Sequence, residues 1–561
     1  MSYRLVGDHD TVEDIKDGPE TIPPGFAREK ARHRYFSHPH SLHTAISVAA
    51  GAIMCLFGYE QGVFGGIIVG RGFLDYFERP SAAMQGFVTS VYDLGCFAGA
   101  LLTLLVGERL GRKRVLVVFT VIMAVGIVMQ TAARSMGQLV WGRFVAGLGN
   151  GGNSATAPVW HVETSHHSAK GKAIVKEMTV NVLGFVISNV VTLLLSGNGT
   201  TAQWRFPLGI QLVFVLVILC LVPVLPESPR WLLARGRDAE AREVLARLSE
   251  DDVEAEFVEI RDAVRLERAA RASWKRVFDG GQVTRRLLLG MMLQVAQQLS
   301  GINVLCYYLP LVLHRSVGLP ELTARLVSTA NAVSYMLATA ASMLVIERMG
   351  RRPLLMSMAG GMSVAFLGIA VSVAVGENPT GGDNSNTINT INENNNLAPG
   401  IMATAFIWLY FTTFSFGWIA VPWLYPAEIN SLGMRTKGAA LATACDWLFN
   451  YLVVQTTPVG IQRLHWLLYL VYALLNLSFV PAVYYLVVET RGRSLEQIDR
   501  WFLANPAWLV HRADHSPHSE SETTAAAGAR GGGMGVAEDH EAMMSAFELS
   551  EAEAEAEAGR G

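Results

Sequence analysis

Long apolar blocks alternate with short polar connections along this chain. The blocks from Val115 to Ala133 and from Leu464 to Val488 are two examples. Each block has the roughly twenty residues that a helix needs to cross about 30 Å of hydrocarbon. We therefore expect an all-α membrane protein. The pattern predicts twelve transmembrane helices, at 42–66, 84–106, 115–134, 138–160, 174–196, 204–225, 285–313, 322–346, 353–376, 400–424, 437–459 and 464–488.

Polar segments divide the twelve spans into two groups of six. Between the sixth and seventh spans, the stretches AEAREVLARL and FVEIRDAVRLERAA are typical of short amphipathic helices at a membrane surface. After the last span the chain contains an EAEAEAEA run, in a composition that buries too little apolar surface to order itself. We predict an N-terminal segment at 1–41, a six-helix bundle at 42–226, a helical linker at 227–284, a second six-helix bundle at 285–488 and a largely disordered tail at 489–561.

The distribution of positive charge predicts the orientation of the chain. Lys and Arg concentrate in the loops that follow even-numbered spans, and positively charged loops stay in the cytoplasm. Both termini and the linker are therefore expected to be cytoplasmic in a multi-pass protein of the cell membrane. The sequon at Asn198-Gly199-Thr200 then lies outside, so Asn198 is a predicted glycosylation site.

Two short motifs recur in corresponding loops of the two halves. The sequence GERLGRK ends at Lys113, and IERMGRR ends at Arg352. A second pair, an acid followed seven residues later by a base, recurs after the fourth and tenth spans. Parallel six-helix repeats place a substrate site between the halves, near the middle of the bilayer. The repeat therefore predicts a transporter of two related bundles.

Composition and charge exclude several other functions. Charged residues make up 17% of the chain, whereas soluble domains have about 25%, and the mean hydropathy is +0.30. A net charge of -3 without an extended basic face argues against nucleic-acid binding. The five cysteines fall in apolar segments without metal-ligand spacing, and no Walker sequence, cofactor motif or nucleophile-base arrangement is present. We expect neither an enzyme nor an ATP-driven pump.

Several motifs make the chain resemble the sugar porters of the major facilitator superfamily, in particular their fungal branch, over about 42–497. The two loop motifs carry this resemblance, together with Gly142-Arg143, PESPRW at 226–231, QQLSGIN at 297–303 and VETRGRSLE at 488–496. The resemblance implies the major facilitator fold. It also implies a substrate site formed by Gln297, Gln298, Asn303, Tyr307, Trp423, Trp447 and Asn450.

The residue types of this implied site suit a sugar, because each hydroxyl both donates and accepts hydrogen bonds as an amide side chain can. Amides in a membrane are tolerated when they face protein or a water-filled cavity, so interhelical hydrogen bonds are the alternative role of these side chains. Two positions depart from the family pattern. Met178 stands where the family has Gln, and Tyr335 stands where it often has Asn, one turn from Asn331.

Glu60 is a carboxylate inside the first span. Without a partner, its insertion into the membrane would cost about 2.5 to 3.5 kcal/mol. Arg143 of the fourth span is its predicted partner. A carboxylate with an intermittent cationic partner can take and release protons, and an acid occupies this position in proton-coupled members of the family. A permanent ion pair is the alternative. Asp93 and Asp446 are two further intramembrane acids, whose roles the sequence leaves open.

Charged residues in the cytoplasmic loops form the third predicted group. Salt bridges between helices can bias a two-state equilibrium, here by closing the inner face of the outward-open transporter. A purely topogenic role for the basic residues is the alternative. The predicted gating residues are Glu108, Arg109, Arg112, Glu163, Glu227, Arg230, Glu347, Arg348, Arg351, Glu428 and Arg435.

We therefore expect a plasma-membrane importer that couples a monosaccharide or polyol to protons by alternating access, as a monomer in the lipid bilayer. Its predicted partners are the sugar or polyol and protons, with no cofactor, metal or nucleic acid. A facilitative uniporter, a non-transporting sugar sensor and a porter of a non-sugar such as quinate or inositol remain alternatives.

Overall fold

The computed structural model describes residues 39–164, 170–248, 253–269, 281–377, 397–430, 434–493, 495–505 and 507–510. Every regular element within these ranges is helical. The helices form two bundles joined by a helical linker, which confirms the predicted fold class of twelve transmembrane helices in two groups of six.

The N-terminal half contains the first six spans. The sixth span is formed by two helices and a short 3₁₀ turn, because Pro207 and the connection at Ile210 interrupt it. The helices of this half are α1 (Pro39–Ile67), α2 (Arg71–Tyr76), α3 (Ala82–Leu110), α4 (Arg112–Thr131), α5 (Met136–Glu163), α6 (Lys170–Leu194), α7 (Ala202–Gly209) and α8 (Gln211–Leu221).

The linker folds into short helices against the end of the bundle where the chain enters α1. They are α9 (Pro229–Leu233), α10 (Asp238–Leu248) and α11 (Val253–Ala269). His43 near the start of α1 forms a 2.6 Å hydrogen bond between Nε2 and the carbonyl oxygen of Leu248, the last residue of α10. We call this end of the molecule the linker side.

The C-terminal half contains spans seven to twelve, of which the seventh and tenth are each broken into two helices. Its helices are α12 (Gln282–Leu299), α13 (Ile302–Arg315), α14 (Glu321–Ser342), α15 (Ile346–Met349), α16 (Arg351–Glu377), α17 (Leu397–Gly417), α18 (Val421–Ile429), α19 (Arg435–Leu464) and α20 (Trp466–Leu486), followed by α21 (Leu495–Ala504).

Within the described residues, nine helical segments are long and apolar enough to cross a membrane on hydropathy alone, with mean hydropathies of 1.2 to 2.6. The other three spans are α5, α14 and α19. They are less apolar because they contain buried polar side chains, among them Arg143 in α5 and Asn450 in α19. Such helices are tolerated in a membrane when their polar faces point into the bundle.

The break in the seventh span depends on Gly301, which separates α12 from α13. Its φ of 90° lies in the left-handed region that favours glycine. A Cβ at this position would also lie 2.7 Å from Cζ of Phe366 and 2.9 Å from Cδ1 of Tyr472. The break therefore requires glycine for two independent reasons.

The two halves contact each other on the side opposite the linker. Ser90 Oγ of α3 donates to Gln455 Oε1 of α19 at 2.9 Å. On α1, a Cβ at Gly65 would lie 2.4 Å from the carbonyl oxygen of Tyr307 in α13. Arg325 Nη1 of α14 lies 3.4 Å from the carbonyl oxygen of Thr192 in α6. These contacts close the bundle on that side.

The chain after the last span begins with an ordered part, although the composition predicts a largely disordered tail. Helix α21 is followed by residues that Arg285 of α12 holds, through Nη1 to the Asn505 carbonyl at 2.7 Å and Nη2 to the Trp508 carbonyl at 3.3 Å. The backbone N of Val510 donates to the carbonyl of Tyr485 at 2.9 Å. Residues 511–561 lie outside the described residues.

We expect Gly301→Ala to lower the stability of the protein by about 1–3 kcal/mol or more, because it adds strain in the left-handed region to a clash with Phe366. The measurement is thermal unfolding of the detergent-solubilised protein. Gly318→Ala is the matched control, because Gly318 has a φ of 83° but open space around its Cβ position. Equal losses in both variants would show that the contact at Gly301 does not matter.

Candidate functional site

Three of the predicted substrate residues meet where the seventh span is broken. Asn303 Nδ2 at the start of α13 donates to Gln298 Oε1 near the end of α12 and to Asn450 Oδ1 of α19, the latter at 2.8 Å. Gln298 Nε2 in turn donates to Asp446 Oδ1 at 2.5 Å. All four side chains are buried. They form a polar network, defined here as Asp446, Gln298, Asn303 and Asn450, inside the C-terminal half.

A carboxylate of the other half contacts the polar network. Asp93 Oδ1 on α3 accepts hydrogen bonds from Tyr307 Oη at 3.1 Å and from Asn450 Nδ2 at 3.4 Å. Asp93, Tyr307 and Asn450 are all at least 98% buried. The predicted substrate residues of the C-terminal half are therefore tied to the N-terminal half through this acid.

Gln297 combines both roles that the sequence suggested for the amides. Its Nε2 donates to the carbonyl of Trp418 at 2.6 Å, in the break between α17 and α18. Its Oε1 is buried and has no hydrogen-bond partner in the part of the chain that the structure describes. Half of this amide thus holds a broken helix in place, and the other half remains available to a ligand or water.

The two predicted tryptophans lie in different environments. Trp447 is fully buried, and its ring lies 5.2 Å from the ring of Phe57 on α1, so it also spans the two halves. Its Nε1 has no hydrogen-bond partner among the described residues. Trp423 near the start of α18 is half-buried and packs against the apolar core.

Three buried polar atoms of this region lack a partner, as do buried polar atoms elsewhere in the described residues. Asp93 Oδ2, Gln297 Oε1 and Trp447 Nε1 are all in this state within the described residues. A buried donor or acceptor without a partner costs about 1–3 kcal/mol. These three atoms are one donor and two acceptors, and hydroxyl groups can pair with both kinds.

Glu60 and Arg143 form the predicted ion pair. Arg143 Nη1 donates to Glu60 Oε2 at 3.2 Å, and both side chains are fully buried. Arg143 Nη2 also donates to the carbonyl of Thr89 on α3 at 3.0 Å, and its guanidinium lies 3.9 Å from the ring centroid of Phe64. Gln130 Nε2 of α4 lies 3.5 Å from Glu60 Oε1. The pair therefore connects four helices of the N-terminal half.

On the linker side, Glu227 caps the start of α4. Its carboxylate accepts hydrogen bonds from the backbone N of Arg112 at 3.0 Å and of Lys113 at 3.2 Å. Burial raises the pKa of Glu227 above its ordinary value, and hydrogen bonds from the backbone of Ser228, Lys113 and Arg112 act in the opposite direction. Gly111 precedes the helix with a φ of 87°, and its missing side chain leaves room for Glu227 Oε2.

The C-terminal half repeats this cap with Glu489. Its two carboxylate oxygens accept from the backbone N of Arg351 and of Arg352, each at 3.0 Å. Gly350, with a φ of 86°, precedes α16, and a Cβ there would lie 2.7 Å from Glu489 Oε2. Two carboxylates thus neutralise the positive ends of equivalent helices. No local signal in the sequence marks Glu489 as a cap, although it lies in the VETRGR motif.

The charged pairs of the loop motifs lie within each half. Arg112 binds Glu163 through two hydrogen bonds of 3.0 and 3.2 Å, and Arg351 Nη2 binds Glu428 Oε1 at 3.0 Å. Glu428 Oε2 accepts a further bond from Thr490 Oγ1 at 2.6 Å. These bridges join the ends of helices inside each bundle, and their gating role in the outward-open state stays a prediction.

The remaining predicted gating residues are less informative. Arg109 and Arg348 are exposed on the linker side, and Arg230 follows Glu227 in the first turn of α9. The side chains of Glu108, Glu347 and Arg435 lie outside the described residues.

The model of the family described as "Sugar (and other) transporter" matches residues 44–502. The MFS-type transporter oryC of Aspergillus oryzae is 41% identical over 83% of this chain and 86% of its own length. The chain belongs to the sugar transporter family of the major facilitator superfamily. The "Sugar transporter STL1" of Saccharomyces cerevisiae is 33% identical to this transporter over 84% of each chain.

Solved structures share the fold of this sugar transporter. The proton:xylose symporter XylE bound to 6-bromo-6-deoxy-D-glucose matches with a TM-score of 0.70 and 23% identity, over 83% of this chain and 100% of the other. These relatives are transporters and not enzymes, which agrees with the prediction from the sequence. At this identity the structural likeness concerns the fold alone.

The two positions that depart from the family pattern are both buried. Tyr335 on α14 is buried, and its ring centroid lies 4.9 Å from Phe411 and 6.2 Å from Phe185. Met178 on α6 is also buried. Asn331, one turn from Tyr335, is fully buried, and neither polar atom of its side chain has a partner among the described residues.

Asn198 lies in the connection between α6 and α7, on the side opposite the linker. Its Oδ1 accepts hydrogen bonds from the backbone N of Thr200 at 3.1 Å and from Thr200 Oγ1 at 2.7 Å. The side chain of Asn198 is partly exposed. Glycosylation at this position stays a prediction.

We expect Glu489→Ala to destabilise the transporter by about 1–3 kcal/mol, because two backbone N–H groups at the start of α16 lose their acceptor. Glu227→Ala is expected to cause a similar loss at α4. Thermal unfolding of the purified protein measures both effects. Asp75→Ala is the control, because Asp75 is 65% exposed and its salt bridge to Arg79 contributes little. A loss no larger than that of the control would contradict the capping role.

Proposed function

We propose that this sugar transporter imports a monosaccharide or polyol together with protons, across the plasma membrane and as a monomer. The observation that carries the proposal is the fully buried Glu60–Arg143 pair, which lies beside α3, the helix whose Asp93 contacts the substrate residues. Relatives lend support. A high-affinity glucose transporter of Candida albicans is 28% identical, and a neighbour in fold is a proton:xylose symporter.

In this proposal the polar network and its neighbours bind the substrate. Gln298, Asn303, Tyr307 and Asn450 supply hydrogen bonds to hydroxyls, as do the unpartnered atoms of Gln297 and Trp447. Trp423 and Trp447 supply flat apolar surfaces for the C–H faces of the substrate.

The direction of transport follows from the proposed orientation. The linker side is cytoplasmic because of its positive charge, and the opposite side, where Ser90 contacts Gln455, is extracellular. The observed contacts therefore correspond to a transporter that is closed to the outside. Opening requires the halves to rock apart on that side, since parallel six-helix repeats move largely as rigid bodies.

Proton coupling requires Glu60 to gain and lose a proton during this motion, which changes its interaction with Arg143. Neutralising Glu60 removes the carboxylate charge that Arg143 faces, and Arg143 also holds Thr89 on α3. A proton on Glu60 therefore alters the link between α1, α5 and α3. Because α3 contacts α19 of the other half, this change can bias the arrangement of the two halves.

Facilitative uniport is the second candidate. The observation in its favour is that Arg143 is held by Glu60, the Thr89 carbonyl and the Phe64 ring at once, as in a permanent structural pair. A non-sugar substrate such as quinate or inositol is a further candidate. The Tyr335 ring and Met178 favour it, because they replace amides of the family pattern with less polar groups.

The general test is uptake of labelled sugars and polyols by transporter-deficient cells, with external pH recorded and a protonophore added in parallel. Uptake with external alkalinisation that collapses with the protonophore is expected. Uptake that ignores the protonophore would replace symport with uniport. No uptake at full surface expression would overturn the proposed transport of sugars or polyols.

We expect Glu60→Gln to abolish accumulation against a gradient and to leave downhill flux or exchange, because the amide cannot cycle a proton. Accumulation ratios with and without protonophore measure the effect. Glu177→Gln is the matched control, because Glu177 is a buried acid of the same half that pairs with His161 instead of Arg143. Unchanged accumulation in Glu60→Gln would contradict the proposed role of Glu60 in proton coupling.

Gln298→Ala is expected to weaken substrate binding at least about fivefold, since loss of a buried hydrogen bond of about 1–3 kcal/mol corresponds to a factor of roughly 5 to 150. Asn331→Ala, which removes a buried amide without partners in the described residues, should change binding far less. Equilibrium binding of the labelled substrate to purified protein measures both. Equal and negligible effects would refute the assignment of the site.

A further inference from the structure

Asp93 is the one acid of the described residues that links the N-terminal half directly to two predicted substrate residues. Both hydrogen bonds, from Tyr307 Oη and Asn450 Nδ2, end on Oδ1. The other oxygen, Oδ2, is buried and has no partner among the described residues. The carboxylate therefore keeps one acceptor unused beside the polar network.

A helix-to-helix hydrogen bond does not explain this arrangement. An asparagine would accept both bonds on its own oxygen without a buried carboxylate, whose transfer from water is far more costly than that of an amide. Leaving Oδ2 without a partner adds a further cost. A ligand that donates to Oδ2 removes this second cost.

The charged and titratable groups around Asp93 come from four other helices, and Tyr307 of α13 is the one that contacts it directly. Arg143 of α5 lies nearby and holds Thr89, one turn before Asp93 on the same helix. The carboxyl groups of Glu60 on α1 and Asp446 on α19 also interact electrostatically with Asp93. Because Arg143 is already bound to Glu60, Asp93 has a cation near it but forms no ion pair of its own with the described residues.

We propose that Asp93 is a substrate-binding residue supplied by the N-terminal half, whose Oδ2 accepts a hydrogen bond from one hydroxyl of the substrate. This inference rests on the proposed function and assigns that site an additional residue. Asn450 Nδ2 has a second hydrogen, and a hydroxyl that accepts it still has its own hydrogen to donate to Oδ2 of the carboxyl group that Asn450 already contacts.

One consequence concerns specificity. Both asparagines of the network can donate as well as accept, so they tolerate several hydroxyl orientations. A carboxyl oxygen that accepts at Oδ2 selects a ligand with a donor at that point. The substrate would then be held by both halves at once, which is the contact that alternating access requires.

The test uses Asp93→Asn, which keeps an oxygen for Tyr307 and Asn450 and replaces the free oxygen with an NH₂ group. Uptake of the labelled sugar that the wild type transports is measured in competition with its complete series of monodeoxy analogues. We expect the affinity for the parent sugar to fall at least tenfold. One analogue, weak against the wild type, should compete with the variant as well as the parent sugar does.

Asp446→Asn is the matched control, because Asp446 is a buried acid that contacts Gln298 of the same network. It is expected to weaken all analogues uniformly, without loss of discrimination at one hydroxyl. Should Asp93→Asn fail to reach the membrane, Asp93→Ser is the second variant, and the same loss of discrimination is expected.

Two outcomes would overturn the inference alone: an unchanged analogue profile in the Asp93 variants, or a uniform loss of affinity for every analogue. A wild-type protein that reaches the cell surface and takes up no sugar or polyol would instead overturn the proposed function, and the inference with it.

Discussion

Polar side chains inside a bilayer must find partners within the protein, and this constraint organises the transporter. In the N-terminal half, Glu60 and Arg143 satisfy it as an ion pair that draws in Thr89 and Gln130. In the C-terminal half, amides satisfy it through the polar network. The two systems meet on α3, where Thr89 contacts the ion pair and Asp93, one turn later, contacts the polar network.

Breaks in two transmembrane helices position the amide side chains of the predicted site. Gly301 interrupts the seventh span, which turns Gln298 and Asn303 toward each other although a continuous helix would separate their side chains. The tenth span is interrupted near Trp418, whose carbonyl is taken up by Gln297. Backbone groups that leave a helix in a membrane need such partners. The same amides therefore stabilise the breaks and line the predicted site.

The pseudo-symmetry of the two halves is clearest on the linker side, where a glutamate caps the start of an equivalent helix in each half. Glu227 and Glu489 lie far from their target helices in sequence, and each caps a helix that begins after a left-handed glycine, Gly111 or Gly350. Since the salt bridges Arg112–Glu163 and Arg351–Glu428 remain inside the halves, these motifs stabilise each bundle as a unit. Two stable units are what a rocking mechanism needs.

The sequence by itself determined the twelve spans, the internal repeat, the family and the pairing of Glu60 with Arg143. Hydropathy and short motifs are local properties, and a buried carboxylate demands a cation that few positions can supply. Tertiary structure alone decided that Asp93 contacts Tyr307 and Asn450, that Glu489 repeats the cap of Glu227, and that the chain after α20 docks on Arg285. The partners of Asp93 lie 214 and 357 residues away, and no local pattern encodes which helix faces which across the two halves.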